Sequence, residues 1–167
     1  PEYPPLLAGL PRGAAVFRKA YCAQQMEDYQ TSIKEWYSFL RKFPGHEENS
    51  EARVLLGDAL MNEGRMDEGI AAFAGISKDD VRFYEEGVFK VGKAYKLMEE
   101  PDKLLEHMTA LKDASPRSPR VAEAIYHMGW VYRQRDEPEK ARAIYWEAIN
   151  EYGDDPGIRS VDDLFPA

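Results

Sequence analysis

The stretch that decides the fold is residues 121–148, VAEAIYHMGWVYRQRDEPEKARAIYWEA. Within it, Gly129 is followed twelve residues later by Ala141 and sixteen residues later by Tyr145. The frame recurs at small residues spaced by 37, 35 and 37 positions, each sixteen residues before a bulky one: Ala20 and Trp36, Gly57 and Phe73, Gly92 and Met108, Gly129 and Tyr145. This period is typical of arrays whose units are helix pairs that bury their apolar faces against neighbouring units.

Helix boundaries repeat with the same period. Pro101 and Pro138 lie 37 residues apart, each between two acidic residues, and proline is tolerated in the first turn of a helix. The pattern therefore predicts an all-α array over 12–157 with four helix–turn–helix units, at about 12–46, 49–80, 81–116 and 118–153. In the first unit, the second helix is predicted from the apolar series Ile33, Trp36, Tyr37, Leu40 and Phe43.

The two ends of the chain have different patterns. Residues 1–11 contain four prolines and are predicted to form an extended lead-in. Residues 158–167 are predicted to form a partial or capping helix. The chain begins with Pro1 rather than methionine, which indicates a processed or excised piece of a larger protein.

Composition excludes several classes of protein. The formal net charge of −8 argues against a general binder of nucleic acid or anionic membranes, which need a basic surface. No apolar run approaches the ~20 residues of a membrane-spanning helix. With Cys22 as its single cysteine, the chain cannot form an internal disulfide.

Motifs for catalysis, cofactors or metals are not apparent. The three histidines, His46, His107 and His127, do not have the paired spacing of a metal site. The glycines occur at repeat positions rather than in a phosphate-binding loop, and the carboxylate pairs fall mostly at helix starts or in loops. We therefore predict no catalytic, cofactor-binding or metal-binding residue and no enzymatic activity.

The four units resemble tetratricopeptide repeats, a family that places small residues where the two helices of a unit pack closest. In the fourth unit this pattern is carried by Gly129, Tyr132, Ala141, Tyr145 and Ala148. The resemblance covers about residues 14–153 and implies a right-handed α-solenoid that binds other polypeptides without catalysis. Leu104 departs from the pattern because it is large at a small-residue position, so looser packing is expected in the third unit.

A narrower resemblance concerns residues 27–46, which end in FPGH, and residues 52–58, ARVLLGD. These stretches are similar to arrays of bacterial envelope proteins of the Tol–Pal-associated and outer-membrane-assembly types. This resemblance implies a location in the bacterial cell envelope or periplasm.

In this architecture the first helix of each pair lines the concave face, and residues at i, i+3, i+4 and i+7 share that face. The predicted peptide-binding residues on it are Arg18, Asn62, Phe89, Lys90, Lys93, Lys96, Tyr126, Trp130 and Arg133. Glu123 and His127 fall on the same face but are not assigned a role. Since aromatic and arginine side chains anchor interfaces and lysines pair with carboxylates, the expected ligand is an acidic and apolar polypeptide segment.

Two alternatives remain. The module can assemble with itself, dimerising through an open last repeat, and Leu164 and Phe165 distinguish this from the scaffold hypothesis. If these residues fold back onto Ile144 and Ala148, the end is capped and dimerisation is disfavoured. A small-molecule sensor is the other alternative, and it needs an enclosed pocket.

Overall fold

Across residues 12–152, the part of the chain that the computed structural model describes, there are eight α-helices and no strand. The helices are α1 (Arg12–Gln25), α2 (Tyr29–Lys42), α3 (Asn49–Asn62), α4 (Met66–Ala74), α5 (Val81–Leu97), α6 (Pro101–Ala114), α7 (Val121–Gln134) and α8 (Pro138–Tyr152). The predicted all-α fold of tetratricopeptide-like helix pairs is confirmed. The predicted lead-in over 1–11 and the predicted helix over 158–167, with Leu164 and Phe165, lie outside the described residues.

The chain divides into two compact units, residues 1–87 and 88–167, and the boundary falls within α5. From here on, "unit" means one of these two parts and no longer a single helix pair. In the first unit α1 packs on α2, α2 on α3, and α3 on α4. In the second unit α6 packs on α7, and α7 on α8. Helices that follow one another in sequence are therefore neighbours in space within each unit.

Aromatic side chains from α1 and α2 form the centre of the first unit. The ring of Phe17 meets Trp36 edge-on at 4.9 Å and Phe39 edge-on at 5.5 Å between ring centroids. Such pairs contribute ~0.5–1.5 kcal/mol beyond the area they bury. The polar group of these three rings is the indole N–H of Trp36. It donates a hydrogen bond of 2.7 Å to Oε1 of Gln24.

One member of the apolar series predicted for α2 is on the other side of the helix. Tyr37 is 44% exposed, and its hydroxyl donates a hydrogen bond of 3.3 Å to Glu68, whereas Phe39 is fully buried. Phe39 follows Trp36 by three residues and so shares its face, while Tyr37 is turned about 100° away. The core of this helix is therefore built on Trp36 and Phe39.

The sixteen-residue spacing corresponds to direct contact between the helices of a pair. At Gly57 in α3, an added Cβ atom would lie 2.5 Å from Cζ of Phe73 in α4. Glycine therefore lets the two helices approach closely at this point.

The core of the second unit combines residues of α5 with residues of α6, α7 and α8. Phe89, Leu104, Met108, Ile125 and Val131 are buried there, and Ile144 of α8 packs on them. Leu104 is fully buried beside Met108. The core therefore accommodates this leucine at the position where the repeat pattern expects a small residue.

A tight turn ends the first helix of every pair. Glu27, Gly64, Glu99 and Asp136 have φ values between 55° and 74°, in the left-handed region. The residue after each donates its backbone N–H to the carbonyl five positions earlier, as Glu100 does to Tyr95 and Glu137 to Tyr132 at 2.9 Å. This is the Schellman arrangement that closes helix ends. It recurs at the repeat spacing although only one of the four residues is glycine.

Candidate functional site

Helices α5 and α7 meet in the second unit through two rings. The centroids of Phe89 and His127 lie 6.0 Å apart. Phe89 is only 3% exposed, and its ring is covered by Lys93 Nζ and by the Arg120 guanidinium, each 5.6 Å from its centroid. The structure therefore corrects the prediction that Phe89 is a surface anchor, because the ring is part of the contact between the two helices.

Two lysines of α5 lie over aromatic rings. Lys93 Nζ lies over Phe89, and Lys96 Nζ lies 4.9 Å from the ring centroid of Trp130 in α7. Such cation–π contacts contribute ~0.5–1 kcal/mol at exposed sites. They also hold the ammonium groups in place, since the apolar stem of a lysine covers hydrophobic surface while its charge stays in water. The result is a positively charged surface with an aromatic base.

The other predicted residues are distributed over both units. Lys90, Tyr126 and Trp130 are half-buried in the second unit, and the Tyr126 ring lies 5.5 Å from His127. Arg18 and Asn62 are exposed residues of the first unit. The Asn62 amide donates a hydrogen bond of 2.9 Å to the Asp58 carbonyl within α3.

Arg133 belongs to a different environment from the two lysines over the rings. It lies beside Tyr145 of α8. Burial raises the pKa of the Tyr145 hydroxyl, and the positive charge of Arg133 opposes this rise. The structure thus brings Phe89, Lys93, Lys96 and Trp130 together and places Arg133 next to the last helix.

His127 is the site residue that the sequence did not single out. Its side chain is 7% exposed, and burial, followed by the charges of Lys96 and Lys93, lowers its pKa from 6.5 to about 4. The imidazole is therefore neutral at pH 7. Within residues 12–152, neither ring nitrogen has a hydrogen-bond partner. The helical period placed His127 on the inner face, but a single histidine carries no spacing that reveals burial.

A second surface lies on the last helix pair. An open depression of about 370 Å³ is lined by Arg133, Pro138, Ala141, Arg142, Tyr145, Trp146 and Ile149. Trp146 and Ile149 are each 56% exposed, whereas Ile144 is buried in the core. Sequence reasoning named Ile144 and Ala148 as the residues that Leu164 and Phe165 cover if the end is capped, and the Ile144 side chain packs inside the unit. Large apolar residues outside the repeat frame, at 146 and 149, were the signal for the exposed face.

For metals and membranes the described residues give two results. Within 12–152 there is no group of three or more histidine, cysteine, aspartate or glutamate residues that is arranged to hold a metal ion. In that same range no helix combines the length and the apolar character that crossing a membrane requires.

Comparisons with known proteins agree with this architecture. A family model for the tetratricopeptide repeat matches residues 123–155, which include most of α7 and all of α8. No curated protein matches the chain. Three solved structures with a similar fold are a tetratricopeptide repeat protein of Parabacteroides merdae, MamA of Desulfovibrio magneticus, and YrrB.

Sequence identity to these structures is low, so the similarity concerns the fold. The Parabacteroides protein is 17% identical with a TM-score of 0.71, over 88% of this chain and 56% of that one. MamA is 15% identical with a TM-score of 0.67, over 86% and 77% of the two chains. YrrB is 20% identical with a TM-score of 0.63, over 92% and 75%.

The fold and these comparisons define the class of the protein as an all-α array of helix pairs, similar in fold to tetratricopeptide repeat proteins. The match at 123–155 and the structural neighbours support this family. Repeats of this family are generally non-catalytic modules for protein interaction. The chain spans about half the length of the Parabacteroides protein.

Proposed function

We propose that the chain is a non-catalytic scaffold, part of a larger protein, that binds a polypeptide on the surface formed by α5 and α7 in its second unit. The observation that carries this proposal is the placement of Lys93 and Lys96 over Phe89 and Trp130. YrrB, which has a similar fold, is described as having an unusual peptide-binding site. The location in the bacterial envelope remains a prediction from sequence.

The geometry favours binding because Lys93 and Lys96 already contact aromatic rings. Fixing a long side chain on binding costs roughly 0.5–1.5 kcal/mol. The contact of Lys96 with Trp130 restricts this side chain before a ligand binds, which reduces that cost. The half-buried indole of Trp130 offers apolar contact area next to the charge, which is the combination found at the energetic centres of interfaces.

A pull-down from bacterial lysate with quantitative mass spectrometry tests the proposal. The wild-type chain is compared with Lys93→Glu/Lys96→Glu and with a matched control, Lys34→Glu/Lys42→Glu, that makes the same charge change at two exposed residues of α2. We expect a polypeptide that the wild type and the control retain and the first variant loses. Equal retention by all three folded proteins would rule out the α5–α7 surface.

A second candidate function is self-assembly through the last repeat, for which Trp146 and Ile149 are the specific observation. Half-exposed large apolar side chains around an open depression are typical of interaction surfaces. Light scattering coupled to size exclusion, over a concentration series, measures the mass directly. If the chain assembles with itself, the measured mass of the wild type rises with concentration. The mass of Trp146→Ser/Ile149→Ser then stays at the value of a monomer. A monomeric wild type at every concentration contradicts it.

A further inference from the structure

Two side chains of the α5–α7 surface, Lys93 and His127, approach one oxygen atom of a third, Glu123. Oε1 of Glu123 lies 3.7 Å from Lys93 Nζ and 3.9 Å from His127 Nε2. Both distances exceed the ~2.7–3.2 Å of an N–H···O hydrogen bond. The carboxylate therefore lies beside two nitrogen atoms without forming a hydrogen bond to either.

His127 makes this arrangement unusual. Buried polar atoms are nearly always hydrogen-bonded, yet both ring nitrogens of this 7% exposed side chain lack a partner within the described helices. The carboxylate of Glu123, whose side chain is 45% exposed, lies 3.9 Å from Nε2. A buried ring nitrogen thus lies beside an anion that is partly in water and not hydrogen-bonded to it.

The charges around His127 determine which ligand suits this place. Lys93 and Lys96 approach from α5, and Glu123 and the uncharged Tyr126 from α7. A cationic ligand would be repelled by both ammonium groups. A carboxylate complements the lysines and, with the histidine proton on Nε2, accepts the hydrogen bond that no group of α5 or α7 provides.

We infer that Glu123 occupies the place of a ligand carboxylate, and that this surface selects polypeptides with an aspartate or glutamate side chain that replaces Glu123 between Lys93 and His127. The inference rests on the proposed polypeptide-binding function. Nε2 is buried and the Glu123 carboxylate lies beside it, so a ligand carboxylate takes this place by displacing Glu123. Glu123 is thereby a specificity-determining residue that competes with the ligand.

The test uses two capped peptides of alternating leucine and glutamate or leucine and glutamine, titrated into the whole chain and followed by NMR of backbone amides and histidine ring nitrogens. Glu123→Gln removes the competing charge. Glu139→Gln is the matched control, an exposed glutamate of α8 that pairs with Arg142. Thermal unfolding checks that each variant is folded.

We expect Glu123→Gln to bind the glutamate peptide about two- to fivefold more tightly than the wild type, the range for an exposed ion pair. The glutamine peptide and Glu139→Gln should show no such gain, and the His127 ring signals should shift with the glutamate peptide. Unchanged or weaker binding by Glu123→Gln, while the peptide still shifts Lys93 and Trp130, would overturn this inference and leave the proposed function standing. Absence of any retained polypeptide in the pull-down overturns the proposed function itself.

Discussion

The ring of Tyr145 in α8 lies directly against Gly129 in α7. A Cβ atom at position 129 would come within 2.6 Å of Tyr145 Oη and closer still to the ring carbons. The two residues are sixteen positions apart, the same separation as Gly57 and Phe73. A glycine in one helix and a bulky side chain in the next therefore set how closely the helices of a pair approach.

Substitution of Gly129 by alanine should destabilise the protein. The added methyl group displaces the Tyr145 ring, and overpacking of this kind costs ~1–3 kcal/mol, partly offset by the ~1 kcal/mol that alanine gains over glycine within a helix. We expect a net loss of up to about 2 kcal/mol in the free energy of unfolding, measured by urea denaturation with circular dichroism. Gly45→Ala is the control, because nothing lies within 4 Å of its added Cβ. If the two variants are equally stable, the Tyr145 ring moves aside for the added methyl group without lowering the free energy of unfolding.

Substitution of glutamate by glycine should stabilise the protein in a left-handed turn and destabilise it inside a helix. Glu99 has φ 57°, where a side chain is strained, so Glu99→Gly should raise the free energy of unfolding by ~0.5–1 kcal/mol. The same change at Glu106, an exposed position inside α6, should lower it by ~1 kcal/mol. Chemical denaturation of both variants measures the two effects. A loss of stability in both would mean that the turn at 99 stores no strain.

Protonation of His127 should make stability depend on pH. Its pKa is about 4 in the folded protein and near 6.5 when unfolded, so between these values the unfolded chain binds a proton that the folded chain lacks. This contribution is complete above pH 6.5 and is lost as the pH falls towards 4, by at most about 3 kcal/mol.

His127→Phe removes the titrating group and keeps a ring at the position. Its free energy of unfolding should therefore fall less steeply between pH 6.5 and 4 than that of the wild type, as measured by urea unfolding at several pH values. Parallel pH profiles for the wild type and His127→Phe would contradict the buried neutral imidazole.

Gln24 should contribute to stability through the buried indole of Trp36. Besides accepting the indole N–H, its amide donates a hydrogen bond of 3.1 Å to the Leu55 carbonyl, and so joins α1 to α3. Gln24→Ala leaves both groups without this partner, at a cost of ~1–3 kcal/mol for the buried donor. Gln25→Ala, at the exposed neighbouring position, should change stability by less than ~0.5 kcal/mol. Thermal and urea denaturation measure the stability of both variants. If their free energies of unfolding are similar, the hydrogen bond to the indole makes no net contribution to stability.

Much of the fold followed from spacing alone. Sixteen residues separate Gly57 from Phe73 and Gly129 from Tyr145, and the structure places both pairs in contact. Pro101 and Pro138 begin helices, as expected for residues that fit a first turn. These features are local or repeat along the chain, so a periodic sequence displays them directly.

The candidate site was less accessible to sequence reasoning. The helical period put Lys93 and Lys96 on one face with Phe89 and Trp130, which they contact in the structure, but it took Phe89 for a binding residue and gave His127 no role. The helical period of the sequence assigns a residue to one face of its own helix. How deep that face lies depends on the helix packed against it, which periodicity does not specify.

The amino-acid sequence by itself determined that this protein is an array of paired α-helices, because small and bulky residues recur in one frame. Tertiary structure alone decided that Phe89 and His127 are buried between α5 and α7, and that Trp146 remains exposed on α8. The physical reason is that burial and pKa depend on the neighbours a side chain meets in space. Those neighbours come from helices distant in sequence, so the unpaired imidazole of His127 beside Glu123 appears only when the helices are packed.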